Sequence, residues 1–331
     1  MVQVTQPSPE VRLAWLGLAL LMMPACRSEQ PPKQEARPLV VVSIIPQAYF
    51  VERVAGNLVN IEVLVGPGQS PHTYDPTPKQ IARLADAKVF FRIGTAFEDA
   101  VIEQAVAANP HLLIVDTRRG IRLRRIQEGE AEEEAGHGER AGHDEQPQHG
   151  RHQLHDDDRP GGPDPHIWLA PLLVKTQAQT ICDALCRMDS AHESTYRQNL
   201  RSFHRDLDNT DAQLKAALAP LKGREFFVYH PAFGYFADAY GLKQIAVETG
   251  GREPSAKHLA GLIAKARRAG VRLIFLQPQF GPAGAKALAA EIGGAVVPMD
   301  DLARDYLTNL KDMASKIQQA LASSTKPAGG P

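Results

Sequence analysis

Short apolar runs alternate along the chain with segments in which apolar residues recur at helical spacing. The run at Leu39–Ile45 is apolar at six of its seven positions and rich in β-branched residues, which is typical of a strand buried on both faces. This order of strands and helices predicts a mostly parallel sheet with helices on its faces. Further strands are expected at 61–65, 89–93 and 112–115, and helices at 47–55, 77–87 and 98–108.

The second half of the chain repeats this pattern after a long helical stretch. Residues 172–218 have helical spacing with hardly a helix breaker, and a helix that begins near Glu193 is too long for one small domain. We expect it to join two lobes, so the predicted fold class is α/β, with two Rossmann-like lobes joined by a long rigid helix. Strands are expected at 225–229, 244–247, 271–276 and 295–297, and helices at 233–240, 255–270, 283–292 and 302–322.

The N-terminus has the features of an export signal. Arg12 precedes the apolar run Leu13–Met23, which is too short to span a bilayer as a stable helix and suits the apolar part of a signal peptide. A small residue stands directly before Cys26, as in lipoprotein signals. Residues 1–26 are therefore predicted to be a signal peptide in which Cys26 is a lipidation site, or else an ordinary signal cleaved nearby. The polar, proline-rich residues 27–38 are predicted to be a tether.

A segment rich in histidine and acidic residues interrupts the regular pattern at 127–163. It cannot bury enough apolar surface to offset the entropy lost on ordering, so we expect a loop. Imidazole and carboxylate bind borderline cations such as zinc. The loop histidines either form weak secondary metal sites or belong to a dispensable insert, and both hypotheses stay open. They are His137, His143, His149, His152 and His155.

These patterns also predict the domain organisation. An N-terminal α/β lobe spans 39–170 and includes the histidine-rich loop, connecting helices span 171–221, a C-terminal α/β lobe spans 222–322, and a tail follows at 323–331. The 37 basic and 38 acidic residues nearly balance, which argues against a nucleic-acid partner. Cys182 and Cys186 lie four residues apart on a predicted helix and are interpreted as small buried residues.

Metal-binding side chains follow several of the predicted strands. In open α/β sheets, ligands bind beyond the carboxyl ends of the strands. His72 follows the second strand, His230 and Asp300 follow two later strands, and His166 re-enters the fold after the loop. Three imidazoles and one carboxylate make a sensible tetrahedral zinc site between two lobes. Taken singly, His72 could be a surface residue, His230 a core histidine and Asp300 a helix cap.

Five segments stand out by their composition and order: VGPGQSPHTYDPTP (65–78), DPHIWLAP (164–171), VYHPAFGYFADAYGL (228–242), EPSAKHLAGLI (253–263) and VVPMDDLA (296–303). Together they resemble the metal-binding solute-binding proteins of ABC importers, specifically the zinc-uptake (ZnuA-type) branch. The resemblance covers about 39–322 and implies two α/β lobes bridged by a rigid helix, with the metal in the cleft between them. Its ligand positions fall on His72, His166, His230 and Asp300, with Asp301 as the runner-up for the last.

The resemblance implies an extracytoplasmic, high-affinity zinc-binding component of an ABC transporter. Such a protein captures Zn²⁺ and delivers it to a permease in the cytoplasmic membrane. We expect a monomer that is not an enzyme, located in the periplasm or on the outer face of the cytoplasmic membrane. Gln277 departs from the family pattern, in which Glu is common, so the charge that Glu would supply is absent here.

Three other functions stay open at this point. The imidazole of His230 favours zinc, since manganese-binding relatives usually have a carboxylate there, but a manganese- or iron-binding protein of the same family is the first alternative. An exported zinc-dependent hydrolase is the second, although the sequence has no HExxH motif and no nucleophile elbow. A surface adhesin or metal buffer is the third.

Overall fold

The structure is a computed structural model that describes residues 37–126, 162–248 and 254–323, together with Met1 and Gln3. The predicted signal peptide apart from Met1 and Gln3, including Cys26, lies outside the described residues, as do the five loop histidines and nearly all of the tether and tail. Within the part of the chain that is described, no helix is both long enough and apolar enough to cross a membrane.

The first lobe is built on a parallel sheet whose strands are β1 (Leu39–Val42), β2 (Asn60–Val63), β3 (Val89–Arg92) and β4 (Leu113–Asp116), in the spatial order β2-β1-β3-β4. Helices α1 (Ile45–Ala55), α2 (Pro78–Asp86) and α3 (Phe97–Ala108) alternate with the strands. β1 ends at Val42 instead of the expected Ile45, because Pro46 lies in the first turn of α1, where its fixed φ and missing N–H favour the start of a helix.

The second lobe repeats the topology of the first. Its strands are β5 (Glu225–Val228), β6 (Lys243–Ala246), β7 (Leu273–Leu276) and β8 (Ala295–Pro298), all parallel, in the order β6-β5-β7-β8. The helices of this lobe are α6 (Gly234–Tyr240), α7 (Ala256–Arg268) and α8 (Ala283–Glu291).

Two further helices, α4 (Pro171–Met188) and α5 (Glu193–Leu218), connect the lobes, and a last helix, α9 (Tyr306–Ser323), follows β8. The 26 residues of α5 make a helix about 39 Å long, and α5 packs against α1, α4 and α9. The predicted fold class, two parallel-sheet lobes with a long central helix, is confirmed.

One apolar core runs from the first sheet across the connecting helices into the second lobe. It includes Phe50, Phe203 and Tyr306, and reaches Phe226 of β5 and Phe275 of β7. The inner faces of both sheets therefore contribute to this one core. A smaller core on the other side of the second sheet includes Phe227 and Ile274, and the two buried cysteines, Cys182 and Cys186, lie in the main core as expected.

The last helix begins later than the sequence pattern predicts. α9 starts at Tyr306, whereas apolar spacing indicated a start at Leu302. The Asp300 carboxylate accepts a hydrogen bond from the Leu302 N–H at 2.8 Å, which is the local turn that Asp side chains favour. This turn holds the segment after β8 out of the helix.

Candidate metal centre

Three histidine side chains converge where the carboxyl ends of the strands meet the entry to α4. His166 Nε2 lies 3.3 Å from His72 Nε2 and 3.2 Å from His230 Nε2, and all three ligand nitrogens lie within 4.8 Å of one another. Zinc–nitrogen bonds of about 2.0–2.1 Å place two nitrogens of a tetrahedral site roughly 3.3–3.4 Å apart. The spacing therefore suits one small cation held by three imidazoles.

The three imidazoles differ in their local support. His72 stands on the Gly- and Pro-rich loop after β2, is partly exposed, and donates its backbone N–H to Ser70 Oγ at 3.3 Å. His166 and His230 are buried, with 1% and 2% of their surface exposed. His166 precedes the short 3₁₀ turn that leads into α4, and His230 follows β5 by two residues.

Asp164 orients the imidazole of His166. Its Oδ1 lies 2.7 Å from His166 Nδ1 and also accepts the His166 backbone N–H at 3.0 Å, while its Oδ2 pairs with Arg124 at 3.0 Å. Burial alone raises the pKa of Asp164, but the hydrogen bonds and charge of His166 and Arg124 outweigh it, and the pKa lies below its ordinary value. An ionised carboxylate on Nδ1 fixes the tautomer that turns the Nε2 lone pair toward the metal.

Glu248 supports His230 in the same way. Its carboxylate forms a short hydrogen bond with His230 Nδ1, and only 4% of Glu248 is exposed. Glu248 follows β6 by two residues, so the strand-end rule that selected the histidines could also have found it. Asp164 could have been found from its place in the Asp164-Pro165-His166 segment. Sequence reasoning missed both carboxylates because it searched for metal ligands and not for their supports.

Gln277 holds the backbone of His230. Its Oε1 accepts the His230 N–H at 3.2 Å, and its Nε2 donates to the His230 carbonyl at 2.8 Å. A carboxylate could accept but could not donate. The Gln277 amide therefore makes two hydrogen bonds with the backbone of His230, and a carboxylate at this position could make only one of them.

The two aspartates after β8 differ in what they contact. The Asp300 carboxylate is engaged by Leu302 N–H, and burial raises its pKa. Asp301 is buried and accepts from Gln279 Nε2 at 2.6 Å; burial raises its pKa, and the charge of His166 partly offsets this. Neither carboxylate belongs to the imidazole cluster found among the described residues. Both carboxylates thus accept a hydrogen bond, Asp300 from the main chain and Asp301 from a side chain.

Aromatic rings line two sides of the imidazole cluster. Phe280 stacks on the ring of His230 at a centroid distance of 4.9 Å, and Trp168 lies 5.1 Å from the ring of His166. The indole N–H of Trp168 donates to the Asp301 carbonyl at 2.8 Å. Apolar walls of this kind restrict water and lower the local dielectric, which strengthens a metal–ligand interaction.

Comparison with known proteins gives relatives over most of the chain. The high-affinity zinc uptake system protein ZnuA of Bacillus subtilis (strain 168) is 30% identical over 267 residues, which are 80% of this chain and 78% of that protein. The zinc-binding lipoprotein AdcA of Streptococcus pneumoniae (strain ATCC BAA-255 / R6) is 27% identical over 294 residues, 86% of this chain, and the match spans about half of AdcA (53%).

A solved structure is similar over the whole of its length. The crystal structure of a ZnuA deletion mutant with zinc bound has 37% sequence identity and a TM-score of 0.74, and the match covers 88% of this chain and 100% of that one. The sequence profile of the family described as "zinc-uptake complex component A periplasmic" matches residues 40–320. The resemblance inferred from the five segments is thereby confirmed, and the chain belongs to this ZnuA family.

Proposed function

We propose that this protein is the extracytoplasmic zinc-binding component of an ABC transporter, which captures Zn²⁺ and delivers it to a membrane permease. The observation that carries the proposal is the cluster of three imidazoles, in which His166 Nε2 lies 3.3 and 3.2 Å from the other two Nε2 atoms, the spacing of nitrogen pairs in a zinc tetrahedron. The names of the relatives, a zinc uptake system protein and a zinc-binding lipoprotein, support the same cargo.

The proposed ligands are His72, His166 and His230, with a carboxylate from the Asp300–Asp301 pair as the fourth. Asp300 is the sequence-based choice, with Asp301 as the runner-up. Four protein ligands leave no open coordination position for an activated water, so the proposed site binds and releases its metal without catalysing a reaction.

Zinc is proposed over manganese or iron because of the donor set. Three neutral imidazoles suit zinc, whereas harder cations prefer carboxylate and water oxygens. The carboxylates on His166 and His230 lie on Nδ1, so they support imidazole donation and do not themselves replace an imidazole. Competitive titration of the protein with Zn²⁺ and Mn²⁺ tests this choice, and tighter binding of Mn²⁺ would contradict it.

The proposal also covers the location of the protein and its weaker metal sites. The family is periplasmic by its description, and we propose that the chain works outside the cytoplasmic membrane as a monomer, anchored by lipid at Cys26. The five loop histidines, His137 to His155, are proposed as weak secondary zinc sites.

The ligand assignment is tested by calorimetric titration of zinc into the purified protein. His72→Ala and His230→Ala each remove a donor, and we expect the zinc affinity to fall by well over 100-fold, more than the 10–100-fold typical of losing a supporting residue. His111→Ala, at an exposed position after α3, is the matched control and should bind like the wild type. Near wild-type affinity in both ligand variants would overturn the assignment.

A further inference from the structure

The side chain of Arg124 joins carboxylates from the two lobes. Its Nη1 lies 3.0 Å from Asp164 Oδ2, beside the metal centre, and its Nε lies 3.0 Å from Asp238 Oδ2 on α6 of the second lobe. The Arg124 side chain is 13% exposed, the Asp164 side chain is fully buried and that of Asp238 is 62% exposed. One guanidinium therefore links a buried carboxylate to a carboxylate at the surface of the other lobe.

Tyr235 adds a second link at the same place. The Arg124 backbone N–H donates to Tyr235 Oη at 2.9 Å, and the Tyr235 hydroxyl donates to the Asp164 carbonyl at 2.9 Å. The guanidinium lies directly against Gly234, the first residue of α6. The approach is so close that a Cβ at this position would overlap Arg124 Nη1. Glycine thus permits an approach that any side chain at this position would block.

These contacts reach one proposed ligand, His166, through Asp164, and they reach the helix that follows a second proposed ligand, His230. Asp164 donates its backbone N–H to the Arg124 carbonyl at 2.9 Å and holds His166 Nδ1 through its Oδ1. On the second lobe, His230 lies in the short connection between β5 and α6, the helix that Arg124 contacts. The contact between the lobes at Arg124 therefore bears on the distance between the Nε2 atoms of His166 and His230.

We propose that Arg124 is a positioning residue that clasps α6 of the second lobe to the Asp164–His166 side of the metal centre and thereby slows zinc release. This inference rests on the proposed zinc-binding function. A ligand set held in its bound geometry loses less freedom on binding, and changes in affinity between closely related complexes are mostly changes in the dissociation rate. Loss of the clasp should raise the zinc dissociation rate and leave the association rate nearly unchanged.

Arg92 provides a matched control within the first lobe. It also pairs with one buried carboxylate, Glu98 at 3.2 Å, and one exposed carboxylate, Asp99 at 2.8 Å, and its side chain is 20% exposed. All three residues belong to β3 and α3, so this arrangement does not cross between the lobes. Arg92→Gln therefore removes a similar set of ion pairs without the proposed clasp.

The experiment measures zinc dissociation from the full-length protein by stopped flow, with a fluorescent chelator in excess. We expect Arg124→Gln to raise the dissociation rate by about 10–100-fold, the range typical of residues that support metal ligands, and Arg92→Gln to stay within about twofold of the wild type. Arg124→Lys should recover part of the loss, because an ammonium can pair with one carboxylate but lacks the planar fork that reaches two.

The outcomes separate this inference from the proposed function. Failure of the wild type to bind zinc overturns both. Zinc binding by the wild type together with an unchanged dissociation rate in Arg124→Gln overturns the clasp alone. Equal acceleration in Arg124→Gln and Arg92→Gln also overturns it, because the effect would then be a general loss of stability. Denaturant unfolding of both metal-free variants is measured alongside, and a rate change confined to Arg124→Gln at matched stability supports the clasp.

Discussion

The two lobes share one topology but use the carboxyl ends of β1 and β5 differently. Beyond β1, Ser43 donates to the buried carboxylate of Glu98. Beyond β5, His230 forms its hydrogen bond with the buried carboxylate of Glu248. Strands β1 and β5 occupy the same place in their sheets, so equivalent strand ends hold a polar pair in both lobes, and only the pair in the second lobe contains an imidazole.

The donors to each carboxylate decide its role. Glu98 accepts from the backbone N–H groups of Ile93 and Gly94 at 2.8 and 2.7 Å and pairs with Arg92, so it closes the turn between β3 and α3. Glu248 holds a ring whose other nitrogen faces the imidazole cluster. A buried acid at a strand end therefore indicates a site only when its partner is itself a potential ligand.

Substitutions of Glu248 and Glu98 are expected to differ most in their effect on zinc affinity. Glu248→Gln weakens the anchor of His230 Nδ1, and we expect zinc affinity to fall by about 10–100-fold. Glu98→Gln replaces one of the two oxygens that accept from four donors with an NH2 group, which cannot accept. We expect affinity within about twofold of the wild type but a loss of roughly 2–3 kcal/mol in the free energy of unfolding. Calorimetry with zinc and urea unfolding of the metal-free protein measure both quantities.

The different roles of Glu98 and Glu248 would be contradicted if Glu98→Gln and Glu248→Gln changed zinc affinity and unfolding free energy in the same way. A strong loss of affinity in Glu98→Gln would mean that the turn after β3 controls the His72 loop, since Tyr74 of that loop packs edge-on against Phe97 at 5.0 Å. Wild-type affinity in Glu248→Gln would show that His230 is oriented by its backbone alone.

A smaller effect concerns pH and Asp164, the second carboxylate that supports a ligand. Its pKa in the folded protein is below the ordinary value, so its ionised form stabilises the fold fully above the unfolded pKa of about 3.9, and this contribution is lost as pH falls through the folded pKa. The variant Asp164→Asn lacks this pH-dependent contribution to the free energy of unfolding. In urea unfolding of the metal-free protein, we expect the wild type to exceed Asp164→Asn at pH 7 and the difference to shrink below about pH 4.

The control for this pH dependence is a residue of the same type on the surface. Asp99→Asn removes a carboxylate that is 76% exposed, and its difference from the wild type should stay small throughout. A stability difference between the wild type and Asp164→Asn that is constant from about pH 7 to about pH 3 would contradict the assignment of an ionised, low-pKa Asp164.

Sequence reasoning could identify the imidazoles because strand ends are local features. Apolar runs locate the strands, parallel topology brings their carboxyl ends together, and His72 and His230 follow as residues near one point. The ion pair between Asp164 and Arg124 could not be predicted in this way, because the two residues are 40 positions apart and no local pattern links them.

The sequence pattern also could not decide between the adjacent residues Asp300 and Asp301. Adjacent side chains point in different directions: the Asp300 carboxylate accepts from Leu302 N–H, whereas the Asp301 carboxylate accepts from Gln279 Nε2. Apolar spacing extended α9 back to Leu302 and thus missed this turn. Strand and helix patterns fix the position of a segment, but the direction of each side chain depends on hydrogen bonds that form only in the folded chain.

The smallest expected effect tests the backbone support that the two lobes have in common. Gln277 accepts from His230 N–H and donates to its carbonyl, while Gln47 accepts from Ser43 N–H at 3.0 Å and donates to Thr117 Oγ1 at 3.2 Å. Gln277→Glu turns a carboxylate toward a carbonyl that cannot donate, so we expect a loss of about 1–2 kcal/mol in unfolding free energy.

Gln47→Glu is the matched change in the first lobe. The hydroxyl of Thr117, which donates to the Arg92 carbonyl at 2.8 Å, can turn to donate to the new carboxylate, because the Thr117 N–H still pairs with that carbonyl at 3.1 Å. The loss of stability in Gln47→Glu should therefore be the smaller of the two. Zinc affinity should change less in Gln277→Glu than in Glu248→Gln, because the Nδ1 anchor of His230 stays in place. Urea unfolding ranks the stabilities and calorimetry the affinities; a larger loss of stability in Gln47→Glu would show that the two glutamines do not have equivalent roles.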